Sequence, residues 1–298
     1  MRLAACLAAA ALAGGCAAHR PAAAPDRPSA VETFIEKVRH ESMAARPPRA
    51  NAAATLEQRD SELGAARALV ALEATPAHYR RVAVAYARLG VYDAAYNSFA
   101  AAIRLDRRDA AAYDGLARVW RDWGFPHLGL SDAYHATFFA PGSATAHNTL
   151  GTLLLNMGQP AGARAEFERA LALEPGAAYA LNNLCYALLL EGKRAPAIEA
   201  CRRALQVEPG MPAAHNNLAL AYAAAGDVAA ARSEFALAGD AATVHYNLGV
   251  ALMATQQYDA AAAAFDAADA LRPYPPRARE RARQARSLAQ KTVRTPGT

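Results

Sequence analysis

The sequence predicts an all-α protein built as a repeat array, and three observations predict it. Leu-rich segments return every 34 residues: "HNTLGTLLLNMGQ" from His147, "LNNLCYALLLEGK" from Leu181 and "HNNLALAYAAAGD" from His215. Runs of Val, Ile and Thr that would form strands are almost absent, and Ala, the strongest helix former, fills the chain. Small residues, Gly and Pro recur in step with the Leu positions. A fixed period of about 20–50 residues is the mark of stacked supersecondary units.

The N-terminal element is a processing signal. "MRLAACLAAAALAGGC" has one Arg, a short apolar stretch and small residues ahead of Cys16. The stretch is too short to span a bilayer, so residues 1–15 are expected to be removed. Leu12, Ala13, Gly14, Gly15 and Cys16 together resemble the lipobox of bacterial lipoproteins. That resemblance implies a diacylglycerol thioether on Cys16 and acylation of the new terminus, with plain secretory cleavage as the other reading. Ala17, rather than Asp, after the Cys implies an outer-membrane anchor facing the periplasm. More than one acyl chain would hold the protein stably on the membrane, where a single chain binds marginally.

Residues 16–50 follow as a tether. "AAHRPAAAPDRPSA" carries Pro, Ala and scattered charge without apolar periodicity. Val31, Phe34, Ile35 and Val38 share one face of a short amphipathic helix, which "RPPRA" then breaks. Residues 51–75 read as a capping helix.

Six units are placed at 76–109, 110–143, 144–177, 178–211, 212–241 and 242–275. One column reads Val82, Leu116, Leu150, Leu184, Leu218, Leu248, and the next position is small throughout: Ala83, Ala117, Gly151, Cys185, Ala219, Gly249. A third runs Ala95, Gly129, Ala163, Ala197, Ala231, Ala261, and a fourth is Ala102, Ala136, Ala170, Ala204, Ala238, Ala268. Tyr79, Val82, Ala83 and Tyr86 follow the i, i+3, i+4, i+7 rule for one helix face, and Ala95, Phe99 and Ala102 follow it on a second helix. Gly90, Gly124, Gly158, Gly192 and Gly226 fall between the two helices, where a positive φ is needed. Pro141, Pro175, Pro209 and Pro273 close four units. No unit can bury its apolar face alone, so the units must stack.

On these columns the chain resembles the tetratricopeptide repeat family over residues 76–275. The resemblance implies a right-handed superhelix whose first helices line a concave groove that binds peptides or proteins without chemistry. Arg107 stands where the first closing Pro would be, Ala133 and Cys201 replace a large residue of the second helix, and the fifth unit is four residues short. That shortening predicts an altered rotation between the fifth and sixth units. Residues 276–298 form a basic helix and tail, with eight Lys or Arg against Glu280 between Arg272 and Arg294. The net charge is +5, so the rest of the chain is near neutral and lacks the broad basic face of a nucleic-acid protein.

Asn gains little from a mid-helix site, yet Asn183, Asn217 and Asn247 precede the Leu column and Asn148, Asn182 and Asn216 occupy the column before that. In the family, similar Asn residues bond the main chain of an extended peptide, since an amide both donates and accepts. The alternative is that they bridge neighbouring units or bond an adjacent backbone. Tyr186, Leu155, Leu189, Leu220, Val250 and Met253 are placed on the groove as an apolar end. Arg80, Arg81, Arg88, Arg118 and Arg121 are placed there as a basic end.

Enzymatic signatures are missing: no phosphate loop, GxSxG elbow, HExxH or CxxC occurs. His147, His215 and His245 share a column with Tyr79, Tyr113 and Leu181, which predicts packing rather than metal binding. No cofactor, metal or small-molecule substrate is expected. Cys185 and Cys201 lie at similar heights on facing helices of one unit. An oxidising compartment permits a disulfide, but packed helices often miss the required spacing, so the pair is expected to be reduced. The function this implies is a lipid-anchored, non-enzymatic scaffold for a protein or peptide partner in pilus or secretion-system assembly. The alternatives are an adaptor or chaperone for peptidoglycan enzymes or exported proteins, and a cryptic hydrolase or transferase.

Overall fold

The structure is a computed structural model that describes residues 56, 58–272 and 277–294. The signal, Cys16, the tether, the amphipathic segment from Val31, the closing Pro273 and the tail after Arg294 lie outside the described residues. All described residues belong to one compact unit, Arg49–Thr298. They form helices and no strand. In chain order these are α1 (Ser61–Leu72), α2 (Pro76–Arg88), α3 (Tyr92–Leu105), α4 (Ala110–Asp122), α5 (Leu130–Phe139), α6 (Ala144–Asn156) and α7 (Pro160–Leu173). Then follow α8 (Ala178–Leu190), α9 (Arg194–Val207), α10 (Pro212–Ala225), α11 (Val228–Ala238), α12 (Ala241–Ala254), α13 (Tyr258–Leu271) and α14 (Arg277–Arg294). None of them is long and apolar enough to cross a membrane.

Consecutive helices from α2 to α13 pair as six hairpins, with α1 packed before the first and α14 on the last. Starts and turns follow from local chemistry. Thr75, Asp109 and Ser143 cap α2, α4 and α6 by accepting a backbone N–H in the first turn. Gly90, Gly124, Gly158, Gly192 and Gly226 all take positive φ, from 71° to 95°, in the turns inside the hairpins. The sixth turn must make the same bend with Gln256, at φ 60°.

The core repeats with the hairpins. In the third, an added Cβ on Gly151 would lie 2.5 Å from the Phe167 ring; in the sixth, one on Gly249 would lie 2.7 Å from Phe265. Ala219 and Phe235 fill the equivalent slot in the fifth. A small residue on the first helix thus receives a Phe from the second, and each buried Phe contributes roughly 1.5–3 kcal/mol. The fourth hairpin fills the slot differently. Cys185 and Cys201 are both fully buried and joined as a disulfide, with Cα atoms 5.3 Å apart. This corrects the expectation of free thiols: a Cys in place of the Phe lets the helices approach to bonding distance.

Successive first helices touch one another, α2 to α4, α4 to α6, α6 to α8, α8 to α10 and α10 to α12. Successive second helices share no comparable contact among the described residues. The array therefore curves with its first helices inside. α11 has 11 residues where α9 and α13 have 14, and it ends at an extended Gly239. α14 lays Ala278, Ala282 and Ala285 on the last hairpin, while Arg279 and Arg286 pair with Asp269 and Asp266 of α13. Its Arg residues thereby solvate the end of the stack.

A non-Gly residue in the left-handed region is strained by about 1–2 kcal/mol. Gln256→Gly should therefore stabilise the protein by about 0.5–1 kcal/mol after the entropy of Gly is counted. Chemical denaturation of the two forms measures it.

Candidate peptide-binding groove

The inner face is built from α4, α6, α8, α10 and α12, and its middle is a ladder of paired amides. Asn183 donates from Nδ2 to Oδ1 of Asn148 (2.8 Å), Asn217 to Asn182 (2.9 Å) and Asn247 to Asn216 (2.7 Å). Each rung joins one hairpin to the next, with the later residue always the donor. The bridging alternative is realised directly, and all six residues remain half-exposed. Each pair uses one donor and one acceptor, so amide capacity is left over on both partners.

The ladder continues towards the N-terminus with different chemistry. Asp114 occupies the Asn148 column one unit earlier and Thr149 the Asn183 column. Burial pushes the Asp114 carboxyl above its ordinary range, while the Thr149 hydroxyl, Arg118 and Arg121 pull the other way. Its Oδ1 is buried without a hydrogen-bond partner.

The residues expected at the apolar end divide. Tyr186 and Val250 are 40% and 39% exposed on the inner helices. Leu155, Leu189, Leu220 and Met253 are half-buried and packed against the core, so they shape the groove floor. The expected basic end needs correction. Arg80 pairs with Asp109, Arg88 with Asp60 and Glu62, Arg118 with Asp114 at 3.9 Å and Arg121 with Asp122 at 2.8 Å. Arg81 alone of the five has no acid partner among the described residues. The basic end is thus largely neutralised by carboxylates. Asp109 holds this end together: it caps α4, is buried and pairs with Arg80.

The His column behaves as packing, with an addition that spacing alone did not give. His147 donates from Nε2 to the Pro141 carbonyl (3.0 Å) and sets Nδ1 against Glu166 (2.7 Å). His215 repeats this with Pro209 (2.9 Å) and Glu234 (2.7 Å). Each ring joins the loop before its helix to the second helix of its own hairpin. At the same offset from His245 stands Ala264, so the third site lacks the acid. No group of His, Cys, Asp or Glu that could hold a metal occurs among the described residues.

An aromatic cluster flanks a half-buried acid in the second hairpin. Tyr113 stacks near His135 and Phe139, and Trp120 stacks on Trp123 with ring centroids 5.6 Å apart. Asp132 sits among them with its carboxyl pushed up to about 7 by burial, against a hydrogen bond from Trp120.

With this geometry in hand, residues 148–212, 191–242 and 234–278 match the tetratricopeptide repeat model. This stretch belongs to the tetratricopeptide repeat family. The first two hairpins lie before it and repeat its turn, with Gly90 and Gly124 at positive φ. No curated protein matches the chain. Among solved structures, PilW, a type IV pilus biogenesis factor, is 23% identical with a TM-score of 0.59 over 67% of this chain and 94% of its own. PilF of Pseudomonas aeruginosa is 20% identical with a TM-score of 0.56, over 69% and 95%. A chain of the APC/C hetero-tetramer Cut9–Hcn1 is 17% identical with a TM-score of 0.64, covering 77% of this chain and 46% of that one. At these identities the likeness is one of fold.

The Asp132 carboxyl generates a pH prediction. Its folded value lies above the ordinary 3.8, so the fold prefers the protonated form. The unfolded chain releases that proton first, and stability is lost as pH rises from about 4 to about 7. Asp132→Asn should flatten that loss and melt a few degrees higher than the wild type at pH 8. Thermal melts of both forms across pH 4–8 check the sign.

Proposed function

We propose that the inner face binds an extended segment of a partner protein, and that the array does no chemistry of its own. The observation that carries this reading is the ladder. Three like-oriented Asn rungs line one face, half-exposed, with spare donors and acceptors at each step. A peptide backbone offers the matching C=O and N–H groups, and each bond gained contributes about 1 kcal/mol. Tyr186 and Val250, exposed beside the ladder, give side-chain selectivity at an apolar end. Because the cations near Arg80 are matched by acids, selection by a strongly acidic ligand is not part of this reading.

The segment before the array tethers the scaffold to the envelope through lipid on Cys16, facing the periplasm of an outer membrane. The lipobox resemblance supports this. Pilus assembly is the setting we favour, supported by the kinship of fold with PilW, a pilus biogenesis factor. An adaptor for peptidoglycan enzymes or exported proteins is the competing setting, and identification of the captured partner separates the two.

Tyr186→Glu with Val250→Glu should sharply reduce capture of the partner from solubilised membranes while leaving the melting temperature nearly unchanged, since both side chains are exposed. Equal capture by the variant would remove the groove assignment. Separately, Cys16→Ser should move the protein from the membrane to the soluble periplasmic fraction. Unchanged attachment in a fractionation experiment would remove the lipid anchor.

A further inference from the structure

α8 is the helix on which the groove turns. It carries Asn182 and Asn183, one from each of the two central rungs, and Tyr186 beside them. Between those residues in sequence, and buried completely, is Cys185, bonded to Cys201 of α9. The third, fifth and sixth hairpins hold their paired helices at this level by seating a Phe against Gly151, Ala219 or Gly249. The fourth has no Phe there, nor has the second, where Ala117 and Ala133 are both fully buried. At this level the helices of the fourth are joined by the covalent bond instead, beside the packing of Leu184 and Leu188 with Ala197 and Ala200.

We propose that oxidation of Cys185 and Cys201 is a maturation lock on the groove: the bond fixes α8 to α9 and thereby aligns the two central rungs. Without it, the hairpin that bears those rungs has neither the bond nor the Phe, and α8 loosens while its neighbours stay packed. The claim about binding rests on the groove reading given above; the claim about α8 does not.

The chemistry balances by thiol–disulfide exchange with an oxidant of the disulfide oxidoreductase class. The first thiolate attacks the oxidant's disulfide, forming a mixed disulfide and releasing one oxidant thiol. The second thiolate then attacks the Cys sulfur of that mixed disulfide and displaces the other oxidant thiol. Two Cys thiols are oxidised and one disulfide is reduced to two thiols. Both sulfurs are sealed in the finished array, with Cys185 and Cys201 at 0% exposure. Exchange must therefore occur before the fourth hairpin closes against its neighbours, in an oxidising compartment. Once formed, the bond is shielded from reductants in the native state.

The test uses the full chain in two redox forms and needs no ligand. Protein refolded with and without a thiol reductant is compared by backbone hydrogen exchange, with thiol alkylation and mass spectrometry reporting the bond. Exchange in α8 and α9 should rise by about tenfold or more in the reduced form, while α6, α7, α12 and α13 change little. The double variant Cys185→Ala, Cys201→Phe rebuilds the pair seen at Ala219 and Phe235. It should exchange like the oxidised protein and ignore reductant. Equal exchange in α8 for the two redox forms would overturn the proposal, as would alkylatable Cys185 in protein folded under oxidising conditions. Capture measured on the same samples keeps the two ideas apart. A groove that never binds, beside an α8 that loosens on reduction, ends the binding reading and leaves the lock standing.

Discussion

Everything in this array depends on how closely the two helices of a hairpin can approach. At one level of the third, fifth and sixth hairpins the first helix offers almost no side chain, and a Phe of the second helix fills the space. Gly151 receives Phe167, Gly249 receives Phe265, and Ala219 packs with Phe235. Helices that meet this closely bury one face in each other and turn a second face towards the next unit. The remaining face of the first helix has nowhere to go but inwards. The groove is thus a by-product of packing: the same small residue that seats a Phe fixes the direction in which an Asn or Tyr on the opposite side projects.

Columns repeated six times were legible because each repeat is an independent statement of the same constraint. The turn Gly residues, the small column and the Ala column could be read from spacing alone, whereas the seat of Phe167 on Gly151 and of Phe265 on Gly249 within one hairpin could not. Pair interactions were harder. His147 and Glu166 are 19 residues apart, as are His215 and Glu234, and the acid is absent at that offset from His245. The pattern is present in the chain, but a His in an apolar column says packing first, and its partner shows only when two columns are compared. The Arg cluster misled for a related reason. The cations lie along first helices, whereas their acids sit in caps at Asp109 and Asp60, in α1 at Glu62, one turn earlier at Asp114 or next in the chain at Asp122. The Cys pair needed a distance that sequence does not contain: similar heights on facing helices could be counted, but the 5.3 Å Cα separation could not.

The Asn residues posed a choice between bridging units and binding a ligand, and the geometry shows why the two are compatible. A primary amide has two donor hydrogens and two acceptor lone pairs. A rung uses one hydrogen of the later Asn and one lone pair of the earlier. What remains is ordered by what is used. The earlier residue keeps its whole NH2 and the later keeps its whole carbonyl oxygen, so every rung presents the same donor and acceptor in the same sense. The bridge therefore preorganises the surface that a peptide would meet, and less rotamer freedom is lost on binding.

That dual use changes what truncation can reveal. Removing one amide of a half-buried rung leaves its partner unsatisfied, which costs about 1–3 kcal/mol when water cannot fully replace it. On the groove reading it would also remove a ligand contact. A loss of stability in an Asn-to-Ala variant is then no evidence against binding, and a loss of binding is no proof of direct contact. Only side chains that lie beside the ladder and take no part in the rungs separate the two effects. Tyr186 and Val250 have that property, since they are exposed and make no inter-unit hydrogen bond among the described residues. The logic extends along the array to Asp114. There the rung has an acid in place of an amide, burial favours its protonated form, and one oxygen is left without a partner. The N-terminal rung thus sets an acid, flanked by Thr149, Arg118 and Arg121, where the later rungs set an amide, so the ladder changes its chemistry at that end.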